Sequence, residues 1–243
     1  MAVVLCLVAP YLEGRARSEA EVAPYLLPDD HPIKPTLDHI FNTSRATLNL
    51  HTLTEAGFTK AKPRKFTKLI VNRHPEMPGY LFKLYLDAQR YYKDKPEHHH
   101  WLMRIQGANR IRTMISERCL EGEFKVPRKW IYKLPSSHQP SSGYLAKHYI
   151  LITEDMDILS GKENEEAWAS DWVTPKLLDD LYGILKDLGL HDCAKPDNIP
   201  FSRDGRIAFI DTQYCDQSVD YKRLIPFLSE SNKSHWKIIS QAH

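Results

Sequence analysis

The chain has 243 residues, of which 42% are apolar and 26% charged, and its formal net charge is +2. That length suits one large domain or two small lobes, and the composition is that of an ordinary globular protein. The near-balanced charge, with no long basic run, argues against a nucleic-acid partner, and no stretch approaches the ~20 apolar residues of a membrane span.

Residues 1–10 are apolar, but the run is short and has no positive charge before it. A secretory signal needs a basic start and a longer apolar core, so a strand or disordered tail is expected there. Residues 1–58 read as an N-terminal extension. It is irregular and proline-rich to 35, then partly helical, with Thr36 as a helix cap and a second helical piece running to Glu55 before Gly57. Residues 66–71 and 80–86 read as strands joined by a turn-rich connection, hence a hairpin. Residues 98–118 have helical periodicity, with Leu102, Ile105, Ala108 and Ile115 on one face. Residues 126–134 and 149–153 are β-rich, and 157–173 read as a polar connector. Thr174-Pro175 opens a helix whose apolar face is Leu177, Leu178, Leu181, Tyr182, Leu185 and Leu188, closed by Gly189. Two short apolar segments flank an Asp204-Gly205 turn, which predicts a second hairpin. A last helix is expected around Leu224, Ile225, Phe227 and Leu228.

Together these elements predict an α+β fold. A β-rich lobe with one helix spans 59–156, and a smaller helical lobe spans 157–243. The most informative stretch is His191-Asp192-Cys193-Ala194-Lys195-Pro196-Asp197-Asn198, then the hairpin, then Asp211. Asn198 and Asp211 fall at the two ends of that hairpin, well placed to present two oxygen ligands to one metal–phosphate site.

This stretch resembles the catalytic loop of the protein-kinase-like superfamily, His-Arg-Asp-Leu-Lys-Pro-Glu-Asn. His191, Lys195, Pro196 and Asn198 match in place, and Asp211 matches the family's metal-binding Asp at the same separation. The resemblance covers roughly 60–215 and implies a two-lobed kinase-like fold with a reduced C-terminal lobe, similar to minimal atypical bacterial kinases. It implies ATP and Mg²⁺ as cofactors, with Asn198 and Asp211 on the metal and Lys195 neutralising the transferring phosphate. It also implies Lys83 on the nucleotide phosphates, and backbone groups near Glu154 and Met156 on adenine. The phosphoacceptor would be a protein or a small molecule, and the setting the cytoplasm or that of a secreted effector.

The chain departs from the pattern in four places. Cys193 stands where the family has its base carboxylate, and Asp192 lies one residue earlier. Either the loop is repacked so that Asp192 serves, or the base is lost and the chain is a pseudokinase scaffold. Lys83, between Phe82 and Leu84, needs an anionic partner if buried, or else faces water at an edge. Its usual acidic helical partner is missing; Gln106 is the central polar residue, with Glu97 and Glu117 nearer the ends. Thr59-Lys60-Ala61-Lys62-Pro63-Arg64-Lys65 replaces the family's glycine-rich loop, so either basic side chains substitute there or the loop is merely solvated. Asp211 precedes Thr212-Gln213, not Phe-Gly.

Other groupings carry less. His98-His99-His100 reads as a polar helix start, since adjacent residues rarely converge on one ion. His191 and Cys193 are a poor thiol dyad. Cys6, Cys119, Cys193 and Cys215 form no C-x-x-C pair, which disfavours a structural zinc site and points to reduced thiols.

Overall fold

The computed structural model describes residues 19–61, 69–88, 97–140 and 143–241. The chain is α+β, with an antiparallel sheet and several helices. It divides into two compact units: residues up to Leu102 with Lys129–Thr153, and Met103–Arg128 with Glu154–His243. The division differs from the boundaries expected at 58 and 156. Residues of the expected extension, Leu27, Leu37, Phe41 and Leu53, share one buried cluster with Phe82, Leu84, Ile150 and Ile152. They are core, not appendage.

In the first unit, helices α1 (Lys34–Thr43) and α2 (Leu50–Glu55) precede strands β1 (Thr59–Lys60), β2 (Ile70–Arg73) and β3 (Tyr80–Leu84). Among the described residues, strands β5 (Lys129–Lys133) and β6 (Tyr149–Glu154) complete a five-stranded sheet in the order β1-β2-β3-β6-β5. The β2–β3 hairpin is as expected, with Val71 opposite Lys83. The part of the expected first strand at 66–68 lies outside the described residues. Asn49 caps α2 through its side chain, and Gly57, at φ +86°, turns the chain just beyond it. Phe58 packs edge-on to Phe82 with ring centroids 5.3 Å apart. Asp87, fully buried, accepts from Arg45 at 2.8 and 2.9 Å, from Thr47 at 3.0 Å and from the Lys147 backbone N–H at 2.7 Å. A buried carboxylate requires such a set of donors, and here it ties three chain segments together.

Helix α3 (Glu97–Glu117) agrees with the expected 98–118 and contributes residues to both units. In the second unit, β4 (Phe124–Lys125) pairs in parallel with β7 (Ile207–Ala208). Of the expected strand 126–134 only Lys129–Lys133 forms, as β5, and β4 lies just before its expected start. Pro127 falls between the two, where a residue without an N–H cannot continue a ladder. Helix α5 (Pro175–Leu188) starts and stops as expected. Thr174 accepts from the Leu177 N–H at 3.2 Å, and Gly189 adopts φ +54°. Its buried face includes Ile184, while Tyr182 lies half-buried beside Tyr221 and Trp236.

Two further expectations are corrected. The connector 157–173 contains helix α4 (Gly161–Ala169), opened by a Ser160/Glu163 capping box. The Leu224–Leu228 region forms only short 3-10 turns at Tyr221–Arg223 and Ile225–Phe227, with Pro226 inside the second. The last helix, α6 (Glu230–Gln241), follows them and buries Trp236. No helix among the described residues is long and apolar enough to cross a membrane.

Candidate functional site

The hairpin after the 191–198 loop forms as the sequence predicts. The Ser202 N–H donates to the Arg206 carbonyl at 2.9 Å, the Gly205 N–H donates to Ser202 at 2.9 Å, and Gly205 takes φ +83°. The Ile210 N–H donates to the Asn198 carbonyl at 3.1 Å. That bond closes the hairpin's open end and brings the Asn198 and Asp211 backbones together. The loop itself is a series of turns, pinned by buried Cys193, Ala194 and Ile199. Asn198 and Ile199 both donate backbone N–H groups to the Lys195 carbonyl, at 3.0 and 3.2 Å.

The side chains are then sorted by their partners. The Asn198 amide nitrogen donates to the Asp192 carbonyl at 2.7 Å, which fixes the carboxamide and leaves its oxygen without a partner among the described residues. The Cys193 thiol donates to the Asp211 carbonyl at 3.1 Å. Cys193 thus anchors the loop to the strand end and is buried, so it does not stand in for a base. Asp192 is half-exposed; one carboxylate oxygen accepts from Arg223 at 2.9 Å, and the other has no partner among the described residues. The Lys195 ammonium is half-buried, with no ion pair among the described residues. Nδ1 of His191 donates to the Ser218 carbonyl at 2.6 Å, a structural bond.

Sequence reasoning missed the residues that hold this cluster from outside. Buried Asn164, on α4, donates to the Pro196 carbonyl at 3.1 Å and accepts from the Phe201 N–H at 2.8 Å, bridging loop and hairpin. Helix α3 grips the segment that follows. Arg104 donates to the Asp211 carboxylate at 2.6 Å, and Thr212 donates its hydroxyl to the Arg104 carbonyl at 2.6 Å. A Cβ on Gly107 would lie 1.9 Å from the Thr212 carbonyl oxygen. Arg110 forms a two-point pair with Asp216 at 2.6 and 2.7 Å. Only Gly107 carried a sequence signal, since a glycine inside a helical pattern often marks close packing.

The remaining predicted residues are placed as follows. Lys83 is a half-buried residue of β3 in the first unit, on the opposite face from buried Phe82 and Leu84. Gln106 is exposed on α3. The Glu154 carboxylate accepts from the Arg128 N–H at 2.7 Å, and its own N–H donates to the Arg128 carbonyl at 3.1 Å. That amide is therefore committed. Met156 is half-buried just past the end of β6, and its backbone makes no hydrogen bond among the described residues. Residues 62–65 of the expected phosphate loop lie outside the described residues. An open cavity of about 670 Å³ in the first unit, between α1, α2 and the His74 turn, is lined by none of the predicted site residues.

Among the described residues, no group of three or more His, Cys, Asp or Glu side chains is placed to hold a metal ion. Mg²⁺ does not require one, since it is commonly held by one or two carboxylates plus substrate phosphates and water. The donor set fits that chemistry. Asp211 offers a carboxylate that is 36% exposed, and Asn198 offers an amide oxygen left over from its own hydrogen bond. Both are hard oxygen donors. A comparison with models of known protein families and with curated proteins found no match.

Proposed function

We propose that the chain is an ATP- and Mg²⁺-dependent phosphotransferase with a reduced, kinase-like two-lobed fold. The observation that carries this is the fixed orientation of Asn198. Its amide nitrogen is spent on the Asp192 carbonyl, and its backbone carbonyl accepts from Ile210, one residue before Asp211. An amide oxygen and a carboxylate are thereby held at the two ends of one short hairpin.

In this assignment Asn198 and Asp211 hold the metal, which when bound supplies charge neutralisation for the phosphates. Asp192 orients the acceptor hydroxyl with the carboxylate oxygen that Arg223 leaves over. Hydrogen-bond reach to the proton is the first requirement of such a group. Lys195 neutralises charge on the transferring group. Lys83 serves the α- and β-phosphates, and the uncommitted Met156 backbone serves adenine. The acceptor is a protein or a small molecule.

A second reading, a pseudokinase acting as a binding scaffold, is favoured by two observations. The Asp211 carboxylate is already ion-paired to Arg104, and the family's base position holds buried Cys193. Transfer of the γ-phosphate of labelled ATP separates the two. The phosphotransferase assignment expects transfer by the wild type and none by Asp211→Ala. Transfer at an undiminished rate in that variant refutes the assignment, and a wild type that binds ATP without transfer supports the scaffold.

A further inference from the structure

We infer that Arg104 is a positioning residue that sets the Asp211 carboxylate for a divalent cation, so that one face of α3 fixes the metal-binding end of the hairpin. The inference rests on the assignment of Asp211 as a metal ligand.

The Arg104 side chain is only 10% exposed, whereas that of Asp211 is 36% exposed. The guanidinium grips one oxygen, Oδ1, from the buried side, while the carboxylate stays within reach of solvent. A hydrogen bond between two charged groups at 2.6 Å is among the stronger kinds and restricts the carboxylate's rotation.

This pair is not a chance meeting of long side chains. The Arg104 carbonyl accepts the Thr212 hydroxyl, and Gly107 lies so close to the Thr212 carbonyl that no side chain fits between them. Arg110 then takes Asp216 with two bonds. Positions 104, 107 and 110 lie close to one stripe of a helix. Arg104 and Gly107 dictate where residues 211–212 run, and Arg104 dictates where the Asp211 carboxylate sits.

A guanidinium this near a cation site also repels the cation. Two features favour net assistance. Arg104 is on the buried side, and ligating carboxylates typically depend on such outer partners, whose loss costs about 10–100-fold in metal affinity. Arg110, whose pair with Asp216 is 43% and 71% exposed, is the natural control.

The test is an Mn²⁺ titration of the full chain, read by paramagnetic broadening of backbone amide signals around residues 198–211. Wild type should show localised broadening. Arg104→Ala should weaken the apparent affinity about 10–100-fold, Arg104→Lys should recover part of the loss, and Arg110→Ala, which removes only an exposed pair away from Asp211, should stay within about twofold of wild type. If Arg104→Ala does not fold, Arg104→Lys carries the test, with a several-fold weakening expected. Unchanged or tighter Mn²⁺ affinity in the folded Arg104 variant overturns the inference while leaving the metal assignment standing. Wild type without localised broadening overturns both.

Discussion

Glu97 opens helix α3 and is held among backbone N–H groups and charges of its own unit. Its Oε2 accepts from the His148 N–H at 3.0 Å, and its Oε1 is buried without a partner among the described residues. Burial outweighs the His148 and Tyr149 N–H groups and the Lys147 ammonium, and raises the carboxyl from 4.5 to about 7. A raised carboxyl pKa means that the folded chain holds a proton which the unfolded chain releases. The stability this contributes is complete below pH 4.5 and is lost as pH climbs to 7. Urea unfolding of wild type and Glu97→Gln across that range tests it. The wild type should lose about 3 kcal/mol relative to the variant between pH 4.5 and 7. A stability difference that stays constant with pH contradicts it.

Among the elements, α3 does the most to place the candidate site. Gly107→Ala on an open helix surface would stabilise by about 1 kcal/mol. Here the new methyl would meet the Thr212 carbonyl at 1.9 Å, so α3 and the 211–213 segment must separate. We expect a net destabilisation of about 1–3 kcal/mol in chemical denaturation; a more stable variant would show that the close approach is absent. The elements legible in the sequence were those with local signals. Thr174-Pro175 and Gly189 bound α5, and Asp204-Gly205 makes the hairpin. The Ser160/Glu163 capping box was equally local but was outweighed by the polarity of its surroundings. Pro226 replaced an apparent helix with 3-10 turns. No local signal exists for Arg104 and Asp211, 107 positions apart, or for Asn164 and Phe201. Such pairs are set by tertiary packing, which periodicity and turn chemistry do not encode.

At the scale of the whole chain, each unit has its own buried core, and neither coincides with a simple cut in the sequence. The first gathers N-terminal helices around the five-stranded sheet, and the second packs α5 and α6 with the later part of α3 and the hairpin. Residues 103–128 join the C-terminal unit because Ala108, Ile111 and Ile115 bury with Leu178 and Leu181. Their periodicity predicted the helix but not which core it serves. The proposed function requires that this chain bind a nucleotide through a metal. The most direct measurement is a thermal-shift titration with ATP, with and without Mg²⁺, on wild type and Asp211→Ala. A ligand that binds only the folded state raises the midpoint with concentration, by about 2.7 kcal/mol of stability at a hundred times its Kd. The expected result is a rise in the wild type that depends on Mg²⁺ and is lost in Asp211→Ala. No shift in the wild type at millimolar ATP and Mg²⁺ would contradict it.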